Sequence, residues 1–151
     1  MNATVTLQWS QDYETGIDII DQQHRQLFEY FALIEDQIGA GQLDQLPVVV
    51  RGLVDYAISH NTFEESLMEQ AGYPMLTAHR RVHEAFRLRA LGYVARLDHG
   101  EEPMKLAREV RIDIGLWLIN HIKREDRHYV PYVRKVLEPG IVSGLLRRFF
   151  R

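Results

Sequence analysis

The sequence contains no cysteine. Disulfides, thiolate metal sites and cysteine nucleophiles are therefore excluded. Any metal bound by this chain would have to be held by nitrogen and oxygen ligands, which histidine and carboxylate side chains supply. The absence of cysteine leaves the cellular compartment open.

Long apolar runs are also lacking. No run reaches the roughly 18–20 residues that a membrane span requires. The N-terminus, MNATVTLQWSQDYETG, has no basic start followed by an apolar stretch, so it does not look like a signal peptide. We therefore expect a cytoplasmic protein.

The composition is that of an ordinary globular protein. Hydrophobic residues make up 46% and charged residues 26% of the 151 positions, which is typical of one domain with a sizeable core. The formal net charge is −3. We expect no binding to nucleic acid, because the charges of both signs are interspersed.

What the sequence does contain is helical periodicity almost throughout. Four helices of about 20–27 residues with short connections predict an all-α protein, an antiparallel up-down-up-down four-helix bundle with an N-terminal arm. We assign residues 1–138 to this bundle. The predicted helices begin near Ile20, Leu46, Pro74 and Pro103, and they end near Gly39–Gly41, Ala71–Gly72, Leu97 and at or beyond Tyr129.

Two features at helix ends carry further predictions. Asp18 and Asp21 are candidate caps or first-turn acids of the first helix. Pro131 should end or kink the fourth helix, because proline lacks an N–H and disfavours a helical residue before it.

The last residues differ in character from the bundle. Residues 139–151, PGIVSGLLRRFFR, combine apolar residues with Arg147, Arg148 and Arg151. We interpret them as an amphipathic basic C-terminal tail. One interpretation is a short helix that packs back on the bundle. The alternative is a segment that contacts a membrane surface or another protein, because such segments pair an apolar face with a basic one.

Histidines occur in every predicted helix. His60 and Glu64 on the second helix, and His79 and His83 on the third, are four residues apart and therefore share a helix face. Each pair alone is more typical of surface residues. Together with the remaining histidines of the bundle, however, they would be costly to bury unless a metal satisfied them. Those remaining histidines are His24 on the first helix and His121 on the fourth.

In an antiparallel bundle, the positions of these histidines along their helices put them at a similar level, toward one end of the bundle.

The carboxylate contributed by the fourth helix is ambiguous. From His121, Glu125 lies at i+4 on the same face, whereas Asp126 at i+5 is rotated by about 140° on a regular helix. Spacing alone favours Glu125, and Asp126 would need a π-type bulge or a reach across the bundle axis. We interpret His99 as a surface residue and His128 as structural, with a supporting role near the site as the alternative.

Four stretches in register resemble the hemerythrin family, specifically its single-domain bacterial members. They are WSQDYETGIDIIDQQH (9–24), the His60–Glu64 pair followed by ESLM, YPMLTAHRRVH (73–83) and WLINHIKRED (117–126). The resemblance covers roughly residues 7–130 and leaves out the tail.

The resemblance implies a non-haem di-iron site. It would assign His79, His83 and His121 to one iron, and His24 and His60 to the other, which keeps an open position. It would make Glu64 and Asp126 bridging ligands, together with a solvent-derived oxo or hydroxo group. The family pattern therefore favours Asp126 over Glu125.

The resemblance also implies a pocket for the bound gas. Leu27 and Leu118 match positions that line this pocket in the family. Asn61 departs from the pattern, because the family usually has phenylalanine directly after the second-helix histidine. Asn61 would make the pocket more polar if it faced the open iron; alternatively, Phe63 or another apolar side chain fills the gap and Asn61 turns aside.

The function implied is reversible dioxygen binding, for storage, delivery or supply, by a protein that is not an enzyme and has no catalytic residues. Nitric oxide is a second candidate ligand. One alternative is a sensor of oxygen, nitric oxide or redox state that acts through a partner. Another is a di-iron oxidoreductase, since DQQH (21–24) and EDRH (125–128) echo the Glu-x-x-His motif of such bundles. That class uses only two histidines, so five favour reversible binding.

Overall fold

The computed structural model describes residues 7–150, which form helices and no strand. After a 3-10 turn at Gln11–Tyr13, six α-helices follow. They are α1 (Asp18–Ala40), α2 (Leu46–Gln70), α3 (Leu76–Asp98), α4 (Pro103–Arg124), α5 (Asp126–Arg134) and α6 (Pro139–Phe149). Consecutive long helices pack on each other and α1 also packs on α4, so α1 to α4 close a bundle. The predicted all-α four-helix bundle is confirmed.

Local chemistry explains where the long helices begin and end. Gly41 adopts φ 67° and ends α1 in the left-handed conformation that glycine tolerates best. The Glu102 carboxylate accepts the N–H groups of Met104 and Lys105 at the start of α4. Asp21 is a first-turn acid of α1, and its carboxylate accepts hydrogen bonds from Thr15 in the preceding loop.

The third and fourth helices differ from prediction. Helix α3 begins at Leu76 rather than Pro74, because residues 71–75 form a turn. The fourth helix breaks at Glu125 and resumes as α5, which contains Pro131 in its interior. A proline crowds the carbonyl four residues before it, so a helix adapts on its N-terminal side. At the break itself, the His128 N–H bonds to the Glu125 carbonyl at 3.2 Å, three residues back along the chain.

The buried apolar side chains form two clusters with a polar layer between them. The larger cluster fills the middle of the bundle and includes Leu27, Ala57 and Leu118. The smaller cluster closes one end and includes Phe63 and Tyr129. Along α1, α2 and the α4–α5 pair, the chain passes from one cluster to the other where the predicted site histidines lie. The polar layer is therefore placed toward one end of the bundle, as depth predicts.

The C-terminal residues form the helix α6, which packs on α2. Leu145 is buried in the smaller cluster, and the Phe150 ring lies 5.3 Å from the Tyr56 ring, centroid to centroid. Arg147 and Arg148 are exposed, and Arg151 lies outside the described residues. This is the packing interpretation of the tail; a contact with a membrane surface or another protein stays a prediction. Among residues 7–150, no helix has both the length and the apolar character to cross a membrane.

Candidate metal centre

Seven polar side chains meet in the layer between the two apolar clusters. None is more than 4% exposed. They form two groups whose ligand atoms lie within 4.8 Å of one another, and the two groups share Glu64 and Asp126. The first group adds His79, His83 and His121, and the second adds His24 and His60.

The three-histidine group is built by α3 and α4. His79 Nε2 lies 3.1 Å from His83 Nε2, which lies 2.9 Å from His121 Nε2. Asp126 Oδ1 lies 3.0 Å from His121 Nε2 and 3.6 Å from His79 Nε2. Three ring nitrogens and a carboxylate oxygen therefore converge on one point.

The two-histidine group is built by α1 and α2. His24 Nε2 lies 3.1 Å from His60 Nε2. Asp126 presents its second oxygen here, with Oδ2 3.2 Å from His24 Nε2. Glu64 Oε1 lies 3.2 Å from His60 Nε2 and 3.8 Å from His83 Nε2 in the other group. Both carboxylates thus lie between the two groups.

The helix break places Asp126 in this layer. Asp126 is fully buried, whereas Glu125 is exposed at the break. The spacing argument for Glu125 is therefore wrong, because it assumed a regular helix after His121. The break at Glu125 interrupts that regular helix, and Asp126 begins α5 with its side chain buried in the layer.

Side chains behind the seven complete the site, and sequence reasoning missed them. Gln23 Oε1 lies 2.6 Å from His60 Nδ1, and the Tyr129 hydroxyl donates a hydrogen bond to Glu64 Oε2. The Trp117 ring stacks on His121 with centroids 4.4 Å apart. Two signals were available: Gln23 adjoins His24, and Tyr129 follows Asp126 at the i+3 spacing of one helix face.

Burial and mutual charge set the ionisation of the layer. Burial lowers the pKa of His60, and it lowers the pKa of His79 to about 4, so both rings are neutral at pH 7. Burial alone would raise the pKa of Glu64, but His60 and His24 outweigh it and the pKa falls to about 2. For Asp126, His121 likewise outweighs burial and holds the carboxyl pKa well below its usual range. At pH 7 the layer therefore combines neutral His60 and His79 with ionised carboxylates, the forms in which both bind metals. Burial alone would lower the pKa of His121, but the Asp126 carboxylate outweighs it and raises that pKa.

The pattern of missing hydrogen bonds fits a cation site. Both oxygens of Asp126 and Oε1 of Glu64 are buried without a hydrogen-bond donor, which is costly for a carboxylate. If His60 Nδ1–H donates to Gln23, the Nε2 of the neutral ring carries a lone pair, and this lone pair faces His24 Nε2 at 3.1 Å. Cations between these atoms would satisfy them all, and imidazole and carboxylate donors suit iron.

A comparison with known protein families also points to a cation-binding domain. The sequence profile described as "Hemerythrin HHE cation binding domain" matches residues 15–133. The chain belongs to the hemerythrin family.

Relatives within this hemerythrin family match over most of their length. The bacteriohemerythrin of Stenotrophomonas maltophilia is 38% identical, over 95% of this chain and 97% of that protein. The myohemerythrin of Theromyzon tessulatum is 29% identical, over 81% of this chain and 89% of that protein. A crystal structure of wild-type hemerythrin superposes with a TM-score of 0.74 at 26% identity, and it covers 83% of this chain and 96% of that chain.

The residues predicted to line a hemerythrin pocket lie in two places. Leu27 and Leu118 are buried in the larger cluster, one turn from His24 and His121 respectively. Asn61 is 6% exposed and lines a cavity of about 160 Å³ between α2 and α3.

Phe63, His99 and His128 lie outside this pocket and outside the centre. Phe63 does not take the place of Asn61, because it packs in the smaller cluster against Phe150. His99 and His128 are both exposed and do not belong to the centre.

Proposed function

We propose that the centre holds two iron ions and that the protein binds dioxygen reversibly there. His79, His83 and His121 would bind one iron, and His24 and His60 the other. Glu64 and Asp126 would bridge the two, together with a solvent-derived oxo or hydroxo group. The observation that carries the proposal is the pair of histidine groups that share both carboxylates.

The unequal numbers of histidines support a binding function. Three imidazoles serve one group and two serve the other, so the second iron would have one protein ligand fewer and a position open to a small molecule. When bound, the irons would supply the electrons that reversible dioxygen binding requires. The five histidines also favour this function over a di-iron oxidoreductase, which is built largely on carboxylates.

The protein's own residues hold and shield the centre. The Gln23 amide oxygen accepts from His60 Nδ1–H and so directs Nε2 toward the two-histidine group. The Tyr129 hydroxyl fixes the Glu64 carboxylate. Leu27 and Leu118, 1% and 5% exposed, keep water from the adjacent core.

The test is anaerobic loading with ferrous iron followed by optical spectroscopy. We expect two irons per chain and a charge-transfer band that appears with oxygen and disappears when oxygen is removed. Irreversible oxidation, or steady consumption of a reductant, would instead favour the oxidoreductase. Nitric oxide can replace oxygen in the same experiment.

Matched variants connect this result to the assigned ligands. His60→Ala should lower the iron content and abolish the oxygen-dependent band. His99→Ala removes a histidine from the exposed end of α3 and should change neither. Equal iron content in all three proteins would contradict the assignment.

A further inference from the structure

The two sides of the centre differ in what supports their histidines. On the two-histidine side, His60 Nδ1 faces the neutral amide of Gln23 at 2.6 Å. On the three-histidine side, His83 Nδ1 faces a carboxylate, with Glu65 Oε2 at 3.3 Å. His83 Nδ1 is buried, and it forms no hydrogen bond of regular geometry with any of the described residues. The Glu65 carboxylate is the acceptor that lies next to it.

We infer that Glu65 is a positioning residue for the metal centre: its carboxylate accepts the Nδ1–H of His83 and directs Nε2 of that ring toward the three-histidine group. The inference rests on the proposed function, and it makes the two irons of the proposed centre different: a carboxylate supports a histidine of one, and a neutral amide supports a histidine of the other. Glu65 touches no iron in this arrangement and acts only through His83.

Helix geometry accounts for the position of Glu65. Glu64 and Glu65 are consecutive, and their side chains are about 100° apart around α2. Glu64 therefore points into the polar layer and is fully buried, whereas Glu65 faces α3 with its side chain 18% exposed. His83 lies on the side of α3 that faces α2. Its Nδ1 atom lies next to Glu65, and its Nε2 atom lies in the polar layer.

Arg80 holds the other oxygen of the same carboxylate. Arg80 Nε lies 3.5 Å from Glu65 Oε1, and Arg80 Nη2 lies 3.1 Å from Glu69 Oε2. Arg80 and Glu69 are largely exposed, so these ion pairs add little to stability. Their geometric effect is to leave Glu65 Oε2 facing His83.

The chemistry requires an acceptor at this position. An imidazole that binds a metal through Nε2 carries its proton on Nδ1, and a carboxylate partner there makes the ring a stronger donor to the metal. A stronger donor stabilises the ferric state relative to the ferrous state. Glu65 therefore lowers the reduction potential of the iron on the three-histidine side.

The test compares Glu65→Met, Glu65→Gln and Glu69→Met with the unaltered protein. Glu65→Met removes the acceptor at similar size, and Glu65→Gln keeps an amide oxygen but removes the charge. Glu69→Met is the matched control, because Glu69 is one turn along the same helix and shares Arg80 but does not contact His83. The readouts are the reduction potential of the centre, iron loss to a chelator, and thermal unfolding of the metal-free protein.

We expect Glu65→Met to raise the potential and to weaken iron binding by about 10- to 100-fold. Glu65→Gln should shift the potential less, in the same direction, and Glu69→Met should match the unaltered protein. A purely structural role would lower the unfolding temperature without moving the potential, and that outcome would overturn the inference. Identical potentials in Glu65→Met and Glu69→Met would do so too, while the proposed function would stand. If the unaltered protein bound no iron, both proposals would fail.

Discussion

Replacing Tyr129 by phenylalanine would delete one hydroxyl from the interior and leave the ring in place. Tyr129 is fully buried, and its hydroxyl donates to Glu64 Oε2. Burial and the nearby Glu64 charge raise the pKa of Tyr129 well above its ordinary value, so the hydroxyl is a donor throughout the usable pH range. A hydrogen bond to a charged group contributes about 1.5–3 kcal/mol. We therefore expect Tyr129→Phe to destabilise the metal-free protein by about 2 kcal/mol.

The assay is thermal and urea unfolding of the metal-free protein, followed by chelator competition after iron loading. For a chain of this length, about 2 kcal/mol corresponds to a fall in the unfolding temperature of about 4–8 °C. Because Glu64 would lose its orienting partner, iron affinity should fall by about 10- to 100-fold.

Tyr93→Phe is the matched control for this prediction. It deletes the same atom from a hydrogen bond to Asp113 of 2.6 Å, but Asp113 is 36% exposed and water can replace the donor. We expect Tyr93→Phe to cost at most about 1 kcal/mol and to leave iron affinity unchanged. Equal stability and equal iron affinity in the two variants would refute the reasoning about Tyr129.

Three further predictions concern other parts of the molecule. Asn61→Phe should slow autoxidation of the iron-loaded protein, because a larger apolar side chain would fill the cavity between α2 and α3; an unchanged rate would exclude a pocket role for Asn61. The metal-free protein should lose stability as the pH falls from about 6.5 to 4, because the His79 pKa drops to about 4 on folding and the unfolded chain alone takes up the proton in this window. The full contribution is about 3 kcal/mol, and urea unfolding of His79→Gln should show a shallower pH dependence. Leu145→Ala should cost about 2–3 kcal/mol of unfolding free energy, since Leu145 anchors α6 at 8% exposure, whereas Val48→Ala at a 66% exposed position should cost almost nothing.

The helices could be predicted from the sequence because their apolar spacing repeats over many turns. Single positions matter little in a repeating pattern. The predicted start of α2 therefore agrees with the observed start at Leu46, and the predicted end of α1 lies within a residue or two of the observed end at Ala40. Asp126 could not be predicted from spacing, because its direction depends on a break that the periodicity does not encode. Pro131 lies inside α5, six residues beyond the break, and Tyr129 and Val133 are buried against the bundle.

The set of converging histidines was predictable for a similar reason, since each lies on the apolar face of its own helix. The groups behind them were harder to predict, because their contacts cross between helices. Gln23 meets His60 across the α1–α2 interface, and Glu65 meets His83 across the α2–α3 interface. Such contacts depend on the relative depth and rotation of two helices, and an error of one residue in either removes them.

The break at Glu125 also divides the fourth arm of the bundle into two pieces with different sources of order. Helix α5 has nine residues with a proline inside, too short to be stable alone. Three of its side chains point inward, and two of these, Asp126 and Tyr129, belong to the polar layer. A cation bound there would therefore hold α5 against the bundle through Asp126. In hydrogen-exchange measurements we expect metal removal to release the amides of α5 first, while those in the middle of α1 and α2 stay protected.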